Sequence, residues 1–245
     1  MTHVSSNRRG FTLMETVIAI GVLAVLLTAF LAVFGPATAG IRRAISAQEA
    51  DRLTSTLEQE LVTLRVTEQS AYDTAFDKAF EWIKDSATGD PTAVPSSMIY
   101  VYQYRADPTR VRDDGTLAPY QSTATPGTPG VDYVVQPMAR PRDSANYLAE
   151  DLEALEGRVF AVRTTQLILQ SGGGMTLGTP GTIQGTNPPN AAASNSENYP
   201  DAVIAFSAEF YAIQSTAPTY LTSANGFAAS TLTKPVFTRS LSVRR

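Results

Sequence analysis

The sequence predicts an α+β protein in which a long N-terminal helix, membrane-spanning in its first half, packs by its second half on an antiparallel sheet of about five strands with long loops. Three observations predict it. An apolar run without a charge extends from Thr16 to Phe34. Leucines at helical spacing follow at Leu53, Leu57, Leu61 and Leu64. Beyond Gly89 the pattern changes to segments rich in Val, Ile, Tyr, Phe and Thr, separated by turn formers.

Taken in order, the run from Thr16 to Phe34 spans about 28 Å as a helix at ~1.5 Å per residue, close to the thickness of a bilayer core. Gly35-Pro36 then predicts a kink or locally opened helix near Ala32 to Pro36, because proline removes a backbone hydrogen bond and clashes with the preceding turn. Helical spacing resumes with Ile41 and Ile45 and continues through the leucines, with Glu49, Arg52, Glu58 and Gln59 on the opposite side. No sustained heptad follows, so this stripe is expected to pack on the protein's own sheet rather than form a coiled coil with a partner.

A second amphipathic helix runs through Phe76, Phe80 and Ile83, with Trp82 beside them, and stops at Gly89-Asp90-Pro91. The strand candidates are Met98 to Tyr104, Val131 to Gln136, Arg158 to Leu169, Ala202 to Ile213 and Val236 to Val243. Between the second and third, Asp143-Ser144 is expected to cap a short helix with Leu148, Leu152 and Leu155 inward and Gly157 at its end. Its acidic side, Glu150, Asp151, Glu153 and Glu156, reads as a solvated face. Calcium needs convergent loop oxygens, and carboxylates along one helix diverge. Pro119 to Gly130 and Ser171 to Pro200 are turn-rich and nearly uncharged, which predicts loops.

The net charge of −4 supplies no basic field, which argues against nucleic acid as a partner. Cysteine is absent, so no disulfide, thiolate metal site or cysteine nucleophile is available. The single histidine is His3, in the short basic leader ahead of the apolar run. The Gly172-Gly173-Gly174 turn lacks the lysine of a phosphate loop, and Asp113-Asp114-Gly115 after Arg112 reads as a hairpin turn rather than a calcium loop. The chain is therefore expected not to be an enzyme, with no catalytic, cofactor-binding or metal-ligating residues.

The N-terminus admits three readings. A secretory signal peptide would end at Ala37-Thr38-Ala39, but its apolar part exceeds the usual length of about 7–15 residues and contains Glu15 at its start. A plain signal anchor, with Arg8 and Arg9 holding the N-terminus in the cytoplasm, leaves Glu15 and the Gly10-Phe11 junction unaccounted for. The string Gly10-Phe11-Thr12-Leu13-Met14-Glu15, after a short basic leader and before an apolar helix, closely resembles the class III signal of type IV prepilins and pseudopilins.

That resemblance implies cleavage between Gly10 and Phe11 by the prepilin peptidase, N-methylation of Phe11, and a role for Glu15 in subunit assembly, pairing with the terminal amine of a neighbour. The charges agree with it. A new amine at Phe11 and a carboxylate one helical turn away have opposite signs, and a charge in hydrocarbon is tolerable only when paired. The resemblance also implies a division into a leader (1–10), a transmembrane helix (11–35), a continuation of the spine helix (36–66) and an extracytoplasmic head (67–245). One departure is Ala32, where many family members carry proline.

The expected function is thus a structural subunit of a type IV pilus-like or type II secretion pseudopilus filament, more a minor than a bulk subunit given its size and loops. Its partners would be the prepilin peptidase, other pilin or pseudopilin subunits, the inner-membrane assembly machinery and the membrane itself. Its place would be the bacterial inner membrane, single-pass with the N-terminus cytoplasmic, and then a filament in the periplasm or at the cell surface. The alternatives are a monomeric membrane-anchored binding protein, or a secreted hydrolase released after Ala39.

Overall fold

The computed structural model describes residues 12–90, 93–121, 127–170, 172–185, 191–223 and 232–245. The chain forms two units, one ending at Ile45 and one running from Ser46 to Arg245. Helix α1, Leu13–Leu61, begins in the first and ends in the second.

In the first unit the apolar side chains stand exposed on the single chain, Leu13 at 85% and Leu23 at 64%. A helix that is apolar all round is suited to hydrocarbon rather than to water. Its hydroxyls turn back on their own backbone: Thr28 Oγ1 donates to the Ala24 carbonyl at 2.8 Å, and Thr38 Oγ1 to those of Phe34 and Gly35 at 3.0 and 2.9 Å. Of the kink or local opening expected near Ala32 to Pro36, the opening does not occur, because α1 continues as helix through Pro36. The residue before a proline resists helical geometry partly through its Cβ, and Gly35 has none.

Within the second unit α1 buries Ser46, Ala50, Leu53, Thr54, Leu57, Glu60 and Leu61. The stripe is thus the expected one from Leu53 to Leu61, but Ile41 and Ile45 remain exposed and Leu64 lies past the helix end. A 3-10 turn at Val66–Glu68 leads to α2, Ala75–Asp85. Thr74 starts α2 with a capping box: its hydroxyl accepts from the Asp77 N–H and Asp77 accepts from the Thr74 N–H, both at 3.1 Å.

The strands are β1 (Ile99–Val111), β2 (Leu117–Pro119), β3 (Val134–Pro141), β4 (Leu155–Leu169), β5 (Met175–Leu177), β6 (Gln184–Gly185), β7 (Ala191–Ala192), β8 (Val203–Ala212) and β9 (Phe237–Arg244). Helix α3, Ala145–Glu153, lies between β3 and β4, and α4, Pro218–Thr222, between β8 and β9. The five long strands are those expected. They lie antiparallel in the order β3, β1, β4, β8, β9, with the short β2 and β5 added to β1 and β4. Three short strands, β5, β6 and β7, lie within the stretch from Ser171 to Pro200 expected to be all loop, β5 pairing with β4 and β6 with β7.

Both faces of the sheet centre are covered, which is why Ile99-Tyr100-Val101-Tyr102 reads as an unbroken apolar run. On one face Ile99, Val101, Phe160, Val162, Phe206 and Phe210 pack with α1 and α2. On the other, Tyr100, Tyr102 and Tyr104 pack with Leu148 and Leu152 of α3 and Leu221 of α4.

Helix α3 ends earlier than expected. Leu155 and Gly157 belong to β4, and Gly157, at φ +78°, lies where the β1–β4 register shifts between Val101 and Gln103. Its positive φ serves a bulge rather than a helix end. The Ser144 side chain makes no capping bond.

Candidate functional site

The N-terminal site starts at the first described residues, and Gly10 and Phe11, with the cleavage and methylation expected there, lie outside them. Glu15 lies in the first turn of α1. Its Oε2 accepts from the Thr12 N–H at 2.9 Å and from the Thr12 hydroxyl at 3.0 Å, while the Glu15 N–H reaches Thr12 Oγ1 at 3.3 Å. This is a capping box, so on the single chain the carboxylate satisfies orphan donors of its own helix. Glu15 is fully exposed there and the next charged residues of the helix are Arg42 and Arg43.

The head holds ionised groups that sequence reasoning missed. Lys78 of α2 is fully buried, and its Nζ lies 2.8 Å from both Glu60 and Glu68 and 2.9 Å from the Thr63 carbonyl. Arg65 pairs with Glu60 through two nitrogens, at 2.9 and 2.5 Å. Burial alone would raise the Glu60 carboxyl, but Arg65 and Lys78 outweigh it and hold the group below its usual range. The signal for this cluster was weak, since Glu60 interrupts no apolar pattern and its partners are scattered.

A second cluster corrects the reading of α3 as a solvated acidic face. Asp151 has no exposed surface. It accepts from the Tyr102 hydroxyl at 2.7 Å, from Arg112 at 2.7 Å and from Arg140 at 3.1 Å. Arg140 also reaches Asp114 at 2.9 Å, and Arg112 reaches Glu150 at 2.8 Å. The reason is helical geometry: Asp151 lies three residues from Leu148, on the side of α3 that faces the sheet, while Glu153 points to water. The Arg112 to Gly115 turn is the expected hairpin, and it also supplies Arg112 and Asp114 to this cluster.

Each of these acids and bases is matched by an opposite charge, and the pairs tie helices, turns and strands of the head together. A recess of about 430 Å³ beside them gathers Arg105, Arg110, Tyr120, Gln121, Glu150 and Glu153. Among the described residues, no three His, Asp, Glu or Cys side chains converge to hold a metal ion.

An N-terminal helix long and apolar enough to cross a membrane, joined to an α+β head, defines a membrane-anchored protein with a folded polar domain. Residues 5–31 match the family model of the prokaryotic N-terminal methylation motif, and with the apolar helix this matches a type IV pilin-like protein processed as a prepilin. That motif implies processing by prepilin peptidase and assembly with other pilins. No curated protein and no solved structure matches the chain.

Proposed function

We propose that the chain is a non-enzymatic structural subunit of a type IV pilus-like or type II secretion pseudopilus filament, a minor rather than the bulk subunit. The observation that carries the reading is Glu15, the one ionised side chain of the apolar helix before Arg42, inside the methylation motif. A carboxylate near hydrocarbon costs about 2.5–3.5 kcal/mol on insertion scales at a helix centre, and a neighbour's Phe11 amine would offset that. In this reading Arg8 and Arg9 keep the leader cytoplasmic, the head is extracytoplasmic, and the inner-membrane assembly machinery moves the cleaved subunit into the filament.

The capping box favours a second reading, in which Glu15 serves only its own helix start in a monomeric membrane-anchored protein. Glu15→Gln separates the two, because glutamine also serves at this position of a capping box while removing the charge. The filament reading expects a processed, membrane-resident, folded subunit that no longer enters filaments or co-purifies with pilin partners. Undiminished incorporation of the variant in sheared filaments overturns it.

A further inference from the structure

The two outer edges of the sheet differ in what their backbones offer. Arg142 donates its N–H to the Met98 carbonyl at 2.8 Å, and the β1–β3 register pairs Tyr100 with Arg140, Tyr102 with Met138 and Tyr104 with Gln136. Those pairs exchange the ladder bonds, so the alternate residues Val135, Pro137, Ala139 and Pro141 direct their backbone outward. Two of these positions are proline and carry no N–H, which blocks another strand from adding there.

At the opposite edge, Arg245 donates to the Ala202 carbonyl at 2.9 Å, and the β8–β9 register pairs Ile204 with Val243, Phe206 with Leu241 and Ala208 with Arg239. The outward positions of β9 are therefore Thr238, Ser240, Ser242 and Arg244, each with an N–H and a carbonyl. Those backbone groups have no partner among the described residues. From Leu232 to Arg245 the chain carries Lys234, Arg239, Arg244 and Arg245 and no acidic residue, although the whole chain has a net charge of −4. Arg239 is matched by Asp51 at 2.9 Å, whereas Lys234 and Arg244 stand exposed without a carboxylate among the described residues.

A second copy of the chain is a poor occupant. Its β3 edge lacks donors at Pro137 and Pro141, its β2 and β5 are only 3 residues long, and its β9 carries the same positive charge. We propose that β9 is a docking edge for an extended, carboxylate-bearing segment of a different protein chain, added as a further strand of the sheet. The backbone bonds would supply affinity, and Lys234 and Arg244 the preference for acidic partners. This goes beyond the filament reading and does not depend on it, because cleavage and methylation at the N-terminus leave β9 untouched.

The test uses the full chain in detergent micelles and a synthetic peptide of about eight residues, a usual strand length, alternating Val and Thr with Glu. Residue-level hydrogen exchange should show the amides of Thr238, Ser240, Ser242 and Arg244 fast in the free protein and slowed by the peptide. Ser242→Pro removes one outward donor without touching the β8 ladder, and should weaken peptide binding at least about tenfold with the unfolding midpoint little changed. The same peptide with alternate amides N-methylated should fail on the unaltered protein, which keeps the test independent of how the variant folds. Four results overturn the proposal: outward amides already protected in the free protein, no binding of the acidic peptide, equal binding of the N-methylated one, or equal binding of a lysine analogue.

Discussion

Lys78, with no exposed surface, holds its ammonium 2.8 Å from a carboxylate oxygen of Glu60 in the last turn of α1. The same ammonium reaches Glu68 at 2.8 Å, so one cation ties the end of the long helix, the 3-10 turn and α2 together. Removing one member of a buried ion pair leaves the other uncompensated, at about 3–5 kcal/mol. Lys78→Met keeps the length of the side chain and removes the charge. The head of the variant should lose stability by about that amount in denaturant unfolding of the full chain in micelles, and a loss under about 1 kcal/mol would show that Arg65 alone suffices for Glu60.

Asp151 should behave in the same way and its neighbour Glu153 should not. Asp151→Asn leaves Arg112 and Arg140 with one buried counter-charge fewer, and a loss of about 3 kcal/mol or more is expected. Glu153→Gln alters an exposed side chain of the same helix and should stay within about 0.5 kcal/mol. Equal effects from the two would mean that α3 is not seated as described.

The acid limb of stability has a definite sign. Burial would raise both Glu60 and Asp114, but Arg65 and Lys78 at the first, and Thr116 and Arg140 at the second, hold these carboxyls below their usual values. A carboxyl depressed in the folded state adds stability above its unfolded pKa, about 4, and loses it as the pH falls through the folded value. The unfolding midpoint should therefore be flat near neutrality and fall below about pH 4, with a shallower fall in Glu60→Gln. Half-exposed Asp85 has the opposite shift, raised by burial, Glu81 and Asp143 against Lys84, so it contributes weakly in the other direction. A midpoint falling mainly between pH 6 and 8 would contradict the assignment.

Processing is tested at Gly10. In the filament reading the peptidase cuts after Gly10 and its pocket must accept that residue, so Gly10→Val should leave the full-length precursor in the membrane. Mass measurement of the N-terminus reads the outcome, and a methylated Phe11 start in the variant would show that cleavage does not depend on this glycine.

The short-range features were legible because short-range physics decides them. The apolar run from Thr16 to Phe34 is long and apolar enough to cross a membrane, and the string from Gly10 to Glu15 is contiguous, so nothing about folding is needed to see either. The five long strands show in β-branched and aromatic content. Their ends moved by several residues where tertiary pairing took over: β1 runs on past Tyr104 to Val111 beside β2, and Gly157, in form a helix stop, became the bulge that lets β4 keep pairing with β1.

What the sequence by itself determined, then, is the long apolar helix, the N-terminal methylation motif and the order of helices and strands, since each depends on neighbours within a turn or a strand. Only the tertiary structure decided that Asp151 is buried rather than solvated, because Tyr102, Arg112 and Arg140 reach it from positions 49, 39 and 11 residues away. It also decided that the prolines of β3 fall on its outward positions while every outward position of β9 keeps a donor. Which backbone groups face out depends on the register between strands, and register is set when side chains from distant segments pack into one core.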